Sequence, residues 1–465
     1  MTLVGLAAIG FLALPVAPDT TRWAGVIELP GGQTLPFAVV LTDASDADSG
    51  TIDIAAQGVM GARLAKVDVS SERAVFTFDV PGAPASFEVS IEGDAATGTM
   101  TQRGVTLPVR LSRATEAEAG PRRPQHPTPP FPYLTEEVVI VMADGGRLAG
   151  TLSLPREGGP HPGVVLLTGS GAQDRDESLA GHKPFLVLAD HLTRNGFAVL
   201  RCDDRGTGGS SAWEPHLTME HFADDARTVL EFLAARTDID ASRVGFVGHS
   251  EGGIVGPMAV ARGAPASFVV MLAGTGVTGA QVLREQITLI LLANGMPEDE
   301  ARRQADASSA FHRVMLSNPT EPDLRSAAVD LVRTQTGGVL PQDDPGFVAA
   351  VASAMELGRN PWFVHFVRFD PGEALEKVTV PVLALNGTKD LQVPPTNLAK
   401  ISEALGRGGN RDVTTKELPG LNHLFQTSTT GSPTEYAVIE ETFAPIALAE
   451  LTAWLRSRAG LDEGR

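Results

Sequence analysis

Five residues, Gly248-His249-Ser250-Glu251-Gly252, stand between a strand-like run, RVGFV at Arg243–Val247, and a helical one, GIVGPMAVAR, and they limit the folds open to the chain. By chance a chain this long offers about 0.3 matches to G-x-S-x-G, so the flanking strand and helix do the discriminating. A strand, a sharp turn and a helix with small residues at both flanks present a serine hydroxyl at the top of a sheet. They also put the positive end of a helix behind it. The bland alternative is a glycine-rich turn with a surface serine.

The surrounding pattern fits the first reading. VVIVMA, GTLSLP, GVVLLTG, FAVLRC, FVVMLAG and VPVLALNG alternate with helical stretches such as KPFLVLADHLTRNG and ADDARTVLEFLAART. Apolar strands separated by helices predict a mostly parallel sheet covered on both faces. From about Thr275 to Asp370 the alternation stops, and only helical runs such as QVLREQITLILLAN and GFVAAVASAMEL appear. Residues 133–274 and 371–465 are therefore expected to form one α/β domain. Residues 275–370 are expected to form a helical cap over the carboxyl ends of its strands, where such sheets bind ligands.

The N-terminal part reads differently. Residues 21–113 carry short alternating runs (FAVVLTD, RAVFTFDV, SFEVSIEGD, VTLPVRLSR) between Gly, Asp and Pro, which predict a small all-β domain, an antiparallel sandwich or barrel. Residues 114–132 hold six prolines and read as an extended linker. Residues 1–20 contain an uncharged apolar run, LVGLAAIGFLALP, too short to span a bilayer and lacking a preceding Lys or Arg. It reads as a possible signal peptide of an exported (periplasmic or secreted) protein, or else as a buried element of a cytoplasmic one.

Composition narrows the function classes. Thirty-seven basic residues against 56 acidic ones give a net charge of −19, which disfavours nucleic acid as a partner. A lone cysteine, Cys202, excludes an internal disulfide and a four-cysteine zinc site. No metal or cofactor spacing is recognisable. Asp299 and Glu300 lack His or Cys at ligand spacing, and Arg201–Gly208 (RCDDRGTG) lacks the Lys of a phosphate loop and reads as a turn with Asp–Arg pairing.

A serine nucleophile needs a base and an orienting acid, which follow it in the order Ser, Asp or Glu, His when the serine sits on such a turn. Only His312, His365 and His423 lie beyond Ser250, and the first two fall in the helical insertion. His423, in PGLNH after the strand-like VTTKEL, is the expected base. Asp390 follows VPVLALNG and is the expected acid, with Asp370 as its weaker rival. Two main-chain amides are expected to receive a developing oxyanion: that of Glu251, and that of Ser170 or Gly171 in the loop TGSGAQ. The string Asp174-Arg175-Asp176 then orders this loop by mutual salt bridging or is a solvated turn.

TGSGAQDRDE, RCDDRGTGGS, GHSEGG, VPVLALNGTKDLQVP and PGLNHLFQ together resemble the α/β-hydrolase serine esterases related to dienelactone hydrolase and the prolyl-oligopeptidase-like group, over about residues 135–458. The resemblance implies an α/β-hydrolase fold with a cap. It also implies a triad from the serine of GHSEGG, the aspartate of GTKD and the histidine of LNH, that is Ser250, Asp390 and His423. The N-terminal domain is similar to accessory domains that precede exported serine hydrolases. Many relatives have His where this chain has Thr168, a difference that a role played by backbone amides tolerates. The function implied is cofactor-free cleavage of small carboxylic esters through an acyl-enzyme. A serine peptidase and a catalytically inactive binding protein are the alternatives. Nine cap residues are candidates to wall an acyl pocket: Ile287, Leu289, Ile290, Leu291, Leu292, Phe311, Phe347, Trp362 and Phe363. The oligomeric state is left open.

Overall fold

The computed structural model describes residues 19–28, 34–43, 49–54, 59–78, 84–102, 104–114 and 121–461. The apolar run at residues 3–15, and with it the possible signal peptide, lies outside them. The chain divides into two units, residues 1–122 and 123–465.

The first unit is all β. Its strands are β1 (Asp19–Glu28), β2 (Thr34–Asp43), β3 (Ser49–Ile54), β4 (Val59–Arg63), β5 (Lys66–Val69), β6 (Arg73–Phe78), β7 (Ala85–Glu92), β8 (Ala95–Gln102) and β9 (Val105–Arg113). They form one antiparallel sheet in the order β4-β3-β2-β1-β9-β8-β7-β6-β5. The sheet curls until β5 approaches β2 and β3, so it is one closed-up sheet rather than two stacked ones. Strict alternation makes this possible: along β7 every second residue is buried, and one face gathers Trp23, Phe37, Phe76 and Phe87.

The second unit begins inside the proline-rich stretch. The Arg123 guanidinium donates to the carbonyls of Ala180, Ala437 and Ile439, and the Gln125 side-chain oxygen accepts from the Thr442 and Phe443 amides. From Arg123 onward this stretch is therefore packed structure rather than a linker. A proline-rich segment has few N–H groups to pair, and side chains tie it down instead.

Its sheet comprises β10 (Leu134–Val141), β11 (Arg147–Leu154), β12 (His161–Leu167), β13 (Ala198–Cys202), β14 (Ile239–His249), β15 (Phe268–Leu272), β16 (Val382–Gly387) and β17 (Val413–Leu418). The spatial order is β10-β11-β13-β12-β14-β15-β16-β17. β10 and β11 pair antiparallel, and every pair from β13 to β17 is parallel. One face is covered by α2 (Met219–Ala234), α3 (Gly252–Ala261) and α10 (Asn397–Arg407), the other by α1 (Pro184–Arg194) and α11 (Pro445–Arg458). The parallel strands read as unbroken apolar runs because both of their faces are buried.

Between β15 and β16 the chain leaves the sheet for α4 (Gly279–Ala293), α5 (Glu298–Leu316), α6 (Glu321–Gln335), α7 (Pro345–Arg359), α8 (Pro361–Arg368) and the short α9 (Gly372–Leu375). Thr278, Thr320, Asp344 and Asn360 each accept a first-turn amide, and Pro opens or nearly opens α6, α7 and α8. Phe311, Phe347, Val351, Met355 and Phe363 give this insertion its own apolar core.

Candidate active site

Ser250 follows the last residue of β14 and precedes α3 by one residue. Its φ is +53°, in the left-handed region that a residue with a Cβ occupies at a cost. The turn closes because its flanks are glycine. A Cβ at Gly248 would stand 2.0 Å from the Gly252 carbonyl oxygen, and one at Gly252 would stand 2.1 Å from that of Leu167. The Ser250 amide donates to the Leu272 carbonyl at 2.8 Å, which anchors the turn to β15.

His423 lies in the loop after β17, and its Nδ1 is 2.8 Å from Asp390 Oδ2. Asp390 follows β16, is 2% exposed, and accepts the amides of Gln392 and Val393 on its other oxygen, each at 2.9 Å. A carboxylate so held accepts a hydrogen bond from the Nδ1–H of the imidazole, leaving the Nε2 lone pair free. Asp370 is elsewhere, exposed and capping the Gly372 amide. His312 is buried in the cap against Phe311 and Phe363, and His365 stacks on Phe369.

Ser250, His423, Ser170 and Glu251 line one cavity of about 500 Å³, within the roughly 300–1,000 Å³ common for small-molecule sites. Cap residues Val282, Leu283, Leu357, Trp362, Phe363 and Phe366 form its apolar wall, and no Lys or Arg is among its described lining residues. Of the nine cap residues expected to wall a pocket, only Trp362 and Phe363 do so. Phe311 and Phe347 belong to the cap's own core. The neighbouring cavity, of about 80 Å³, shares Gly169 and Glu251 with the first and takes in Gly171 rather than Ser170. Among the described residues, the main-chain amides of Ser170, Gly171 and Glu251 donate to no acceptor, so hydrogen bonding does not choose between Ser170 and Gly171.

The loop after β12 is ordered by ion pairs, but not by mutual ones. Arg175 donates to Asp203 at 2.8 Å and also bonds Glu137 and Thr151; Asp176 bonds Arg201 and Lys183. The loop is thus fastened to β10, β11 and β13. Asp–Arg pairing does stabilise the RCDDRG turn, with partners outside it: Arg205 bonds Asp225 and Asp144.

Two side chains at the site were not singled out from sequence. The Glu251 side chain is buried, which pushes its carboxyl up to about 7, and it accepts the Trp362 indole N–H at 2.7 Å. Glu177, 3% exposed with a φ of +55°, lies beneath the loop and bonds Gly169 and His249. A left-handed backbone and burial mark Glu177 in the fold, and no local sequence pattern reveals either. Asp299 and Glu300 pair with Arg303, and no group of three or more His, Cys, Asp or Glu able to hold a metal occurs among the described residues.

A family model described as "Alpha/beta hydrolase family" matches residues 164–437, more than half of the chain. "Esterase EstD" of Thermotoga maritima is 26% identical over 60% of this chain and 58% of its own length. "Bifunctional esterase/perhydrolase DCH" of Acinetobacter calcoaceticus is 27% identical over 46% of this chain and 72% of its own. The chain thus spans little more than half the length of the first of these relatives. Among solved structures, the proline iminopeptidase of Mycobacterium smegmatis superposes with a TM-score of 0.43 at 18% identity, over 70% of this chain and all of that one. No helix of the described residues is long and apolar enough to cross a membrane.

Proposed function

The chain belongs to the alpha/beta hydrolase family, and from that premise we propose that it is a serine hydrolase that cleaves small, uncharged carboxylic esters through an acyl-enzyme. One observation carries this reading: Ser250, on a strained turn at a helix N-terminus, opens into the same cavity as a histidine fixed by a buried aspartate. Esterase-named relatives at modest identity support the substrate class.

In this mechanism Ser250 Oγ attacks the ester carbonyl carbon while its proton passes to His423 Nε2. Asp390 holds the imidazole by Nδ1–H and stabilises the imidazolium. The carbonyl oxygen, now an anion, meets the amides of Glu251 and Ser170, which have no competing acceptor. Collapse breaks the C–O bond, and the alcohol leaves with the proton from His423. Water, activated by the same imidazole, then frees the acid and restores Ser250.

The apolar cap wall supports neutral acyl groups, and a cavity of about 500 Å³ supports small ones. Each buried methylene gains roughly 0.8 kcal/mol until the pocket is full. On nitrophenyl esters of two to twelve carbons, kcat/KM should climb with acyl length and then fall. Faster cleavage of aminoacyl anilides than of every ester would replace this reading with the peptidase one.

A further inference from the structure

We propose that Glu177 and His249 form a buried ion pair that holds the loop bearing Ser170 and the loop bearing His423 in register about Ser250, an inference that rests on the serine hydrolase reading of the site. Both residues act through others and are positioning residues.

The geometry points to a doubly protonated His249. Its Nδ1 is 2.8 Å from Glu177 Oε1 and its Nε2 is 2.9 Å from the main-chain oxygen of His423. The His423 carbonyl can only accept, so Nε2 carries a proton, and opposite an ionised Glu177 the Nδ1 carries the second. The side chain is therefore an imidazolium, 7% exposed, matched by a carboxylate that is 3% exposed. Burial opposes the charge, but Glu177 outweighs it, together with the His423 carbonyl and the more distant Asp390, and the imidazolium persists above the ordinary histidine range.

The pair's position gives it a task. Glu177 Oε1 also accepts the Gly169 amide at 2.8 Å, one residue before Ser170. His249 directly precedes Ser250, and its ring centroid is 4.8 Å from that of His423. One chain of three hydrogen bonds therefore runs from the loop bearing Ser170, past the Ser250 turn, to the backbone of His423. A displacement near 1 Å in such a constellation costs on the order of 10²-fold in rate.

Glu177→Gln separates charge from shape, because both bonds fall on Oε1 and an amide oxygen can keep them. Without the carboxylate His249 should lose a proton, and its bare Nε2 would face the His423 carbonyl. On a nitrophenyl ester, Glu177→Gln should lower kcat about 10- to 100-fold with KM held within about twofold. His249→Phe should do at least as much. In the full chain carrying ¹⁵N-histidine, both His249 nitrogens should show the protonated signature from pH 6 to 8 in the wild type, and one should lose it in Glu177→Gln. A singly protonated His249 in the wild type at pH 7, or kcat within twofold of wild type in both variants, would overturn the proposal. Fluorophosphonate labelling of wild-type Ser250 keeps the two readings apart. Labelled enzyme with unchanged kcat in both variants sinks the ion pair alone, and unlabelled wild type sinks the hydrolase reading beneath it.

Discussion

Ser250 pays for its exposure with a φ of +53°, and the glycines on either side make that conformation reachable. Gly248→Ala and Gly252→Ala each place a Cβ near 2 Å from a main-chain oxygen, so neither variant should accumulate as folded protein, which expression and circular dichroism will show. Ser250→Ala and His423→Ala should instead fold normally and lose several orders of magnitude in kcat. Asp390→Asn should lose somewhat less, because the imidazole keeps its place but not its tautomer. Asp370→Asn should stay at wild-type kcat, and the reverse result for these two aspartates would move the acid to Asp370. A motif, chain order and strand ends marked each of these candidates in the sequence. Glu177 was not so marked, since its role comes from folding beneath a loop 72 residues away from His249 in sequence. His249 sits at a variable position of its motif, where sequence gives no hint of an ion pair.

The cap helices could be read from their capping residues and prolines, but the faces they turn toward the cavity could not. Along α4 the apolar residues Ile287, Leu289, Ile290, Leu291 and Leu292 suggested a pocket wall, whereas the cavity takes Val282 and Leu283, about one to three turns earlier. An apolar run in sequence does not say which neighbour covers it. His312 shows the same limit, being a plain helical histidine in sequence and a buried one in the fold, with its Nδ1 unpartnered among the described residues. Burial lowers its pKa to about 4. The folded state thus resists protonation that the unfolded chain accepts near 6.5. The corresponding stability is present above that value and is lost as pH falls from about 6.5 toward 4. His312→Leu should shrink the drop in Tm between pH 7 and pH 5, read by calorimetry. An equal or larger drop in the variant would show that His312 is not the group responsible.

Over the whole molecule, a net charge of −19 and a cavity wall with no Lys or Arg among its described residues both select against anions. A succinyl nitrophenyl ester should therefore have a kcat/KM at least about tenfold below that of the butyryl ester, and equal values would remove charge from the specificity. EDTA should leave turnover unchanged, because every step of the proposed cycle uses side chains and backbone amides. The two-part organisation was legible as a change of apolar period near the proline-rich stretch. The curl of the first sheet was not, because alternation gives each strand an inner face without saying how many sheets share it. The account stands or falls on Ser250 as the nucleophile. Treating the full chain with a fluorophosphonate and mapping the adduct by peptide mass spectrometry tests it directly. The account predicts one adduct per chain on the peptide containing Ser250, and none in Ser250→Ala. Ester turnover that persists in Ser250→Ala, or an adduct on any other residue, would contradict it.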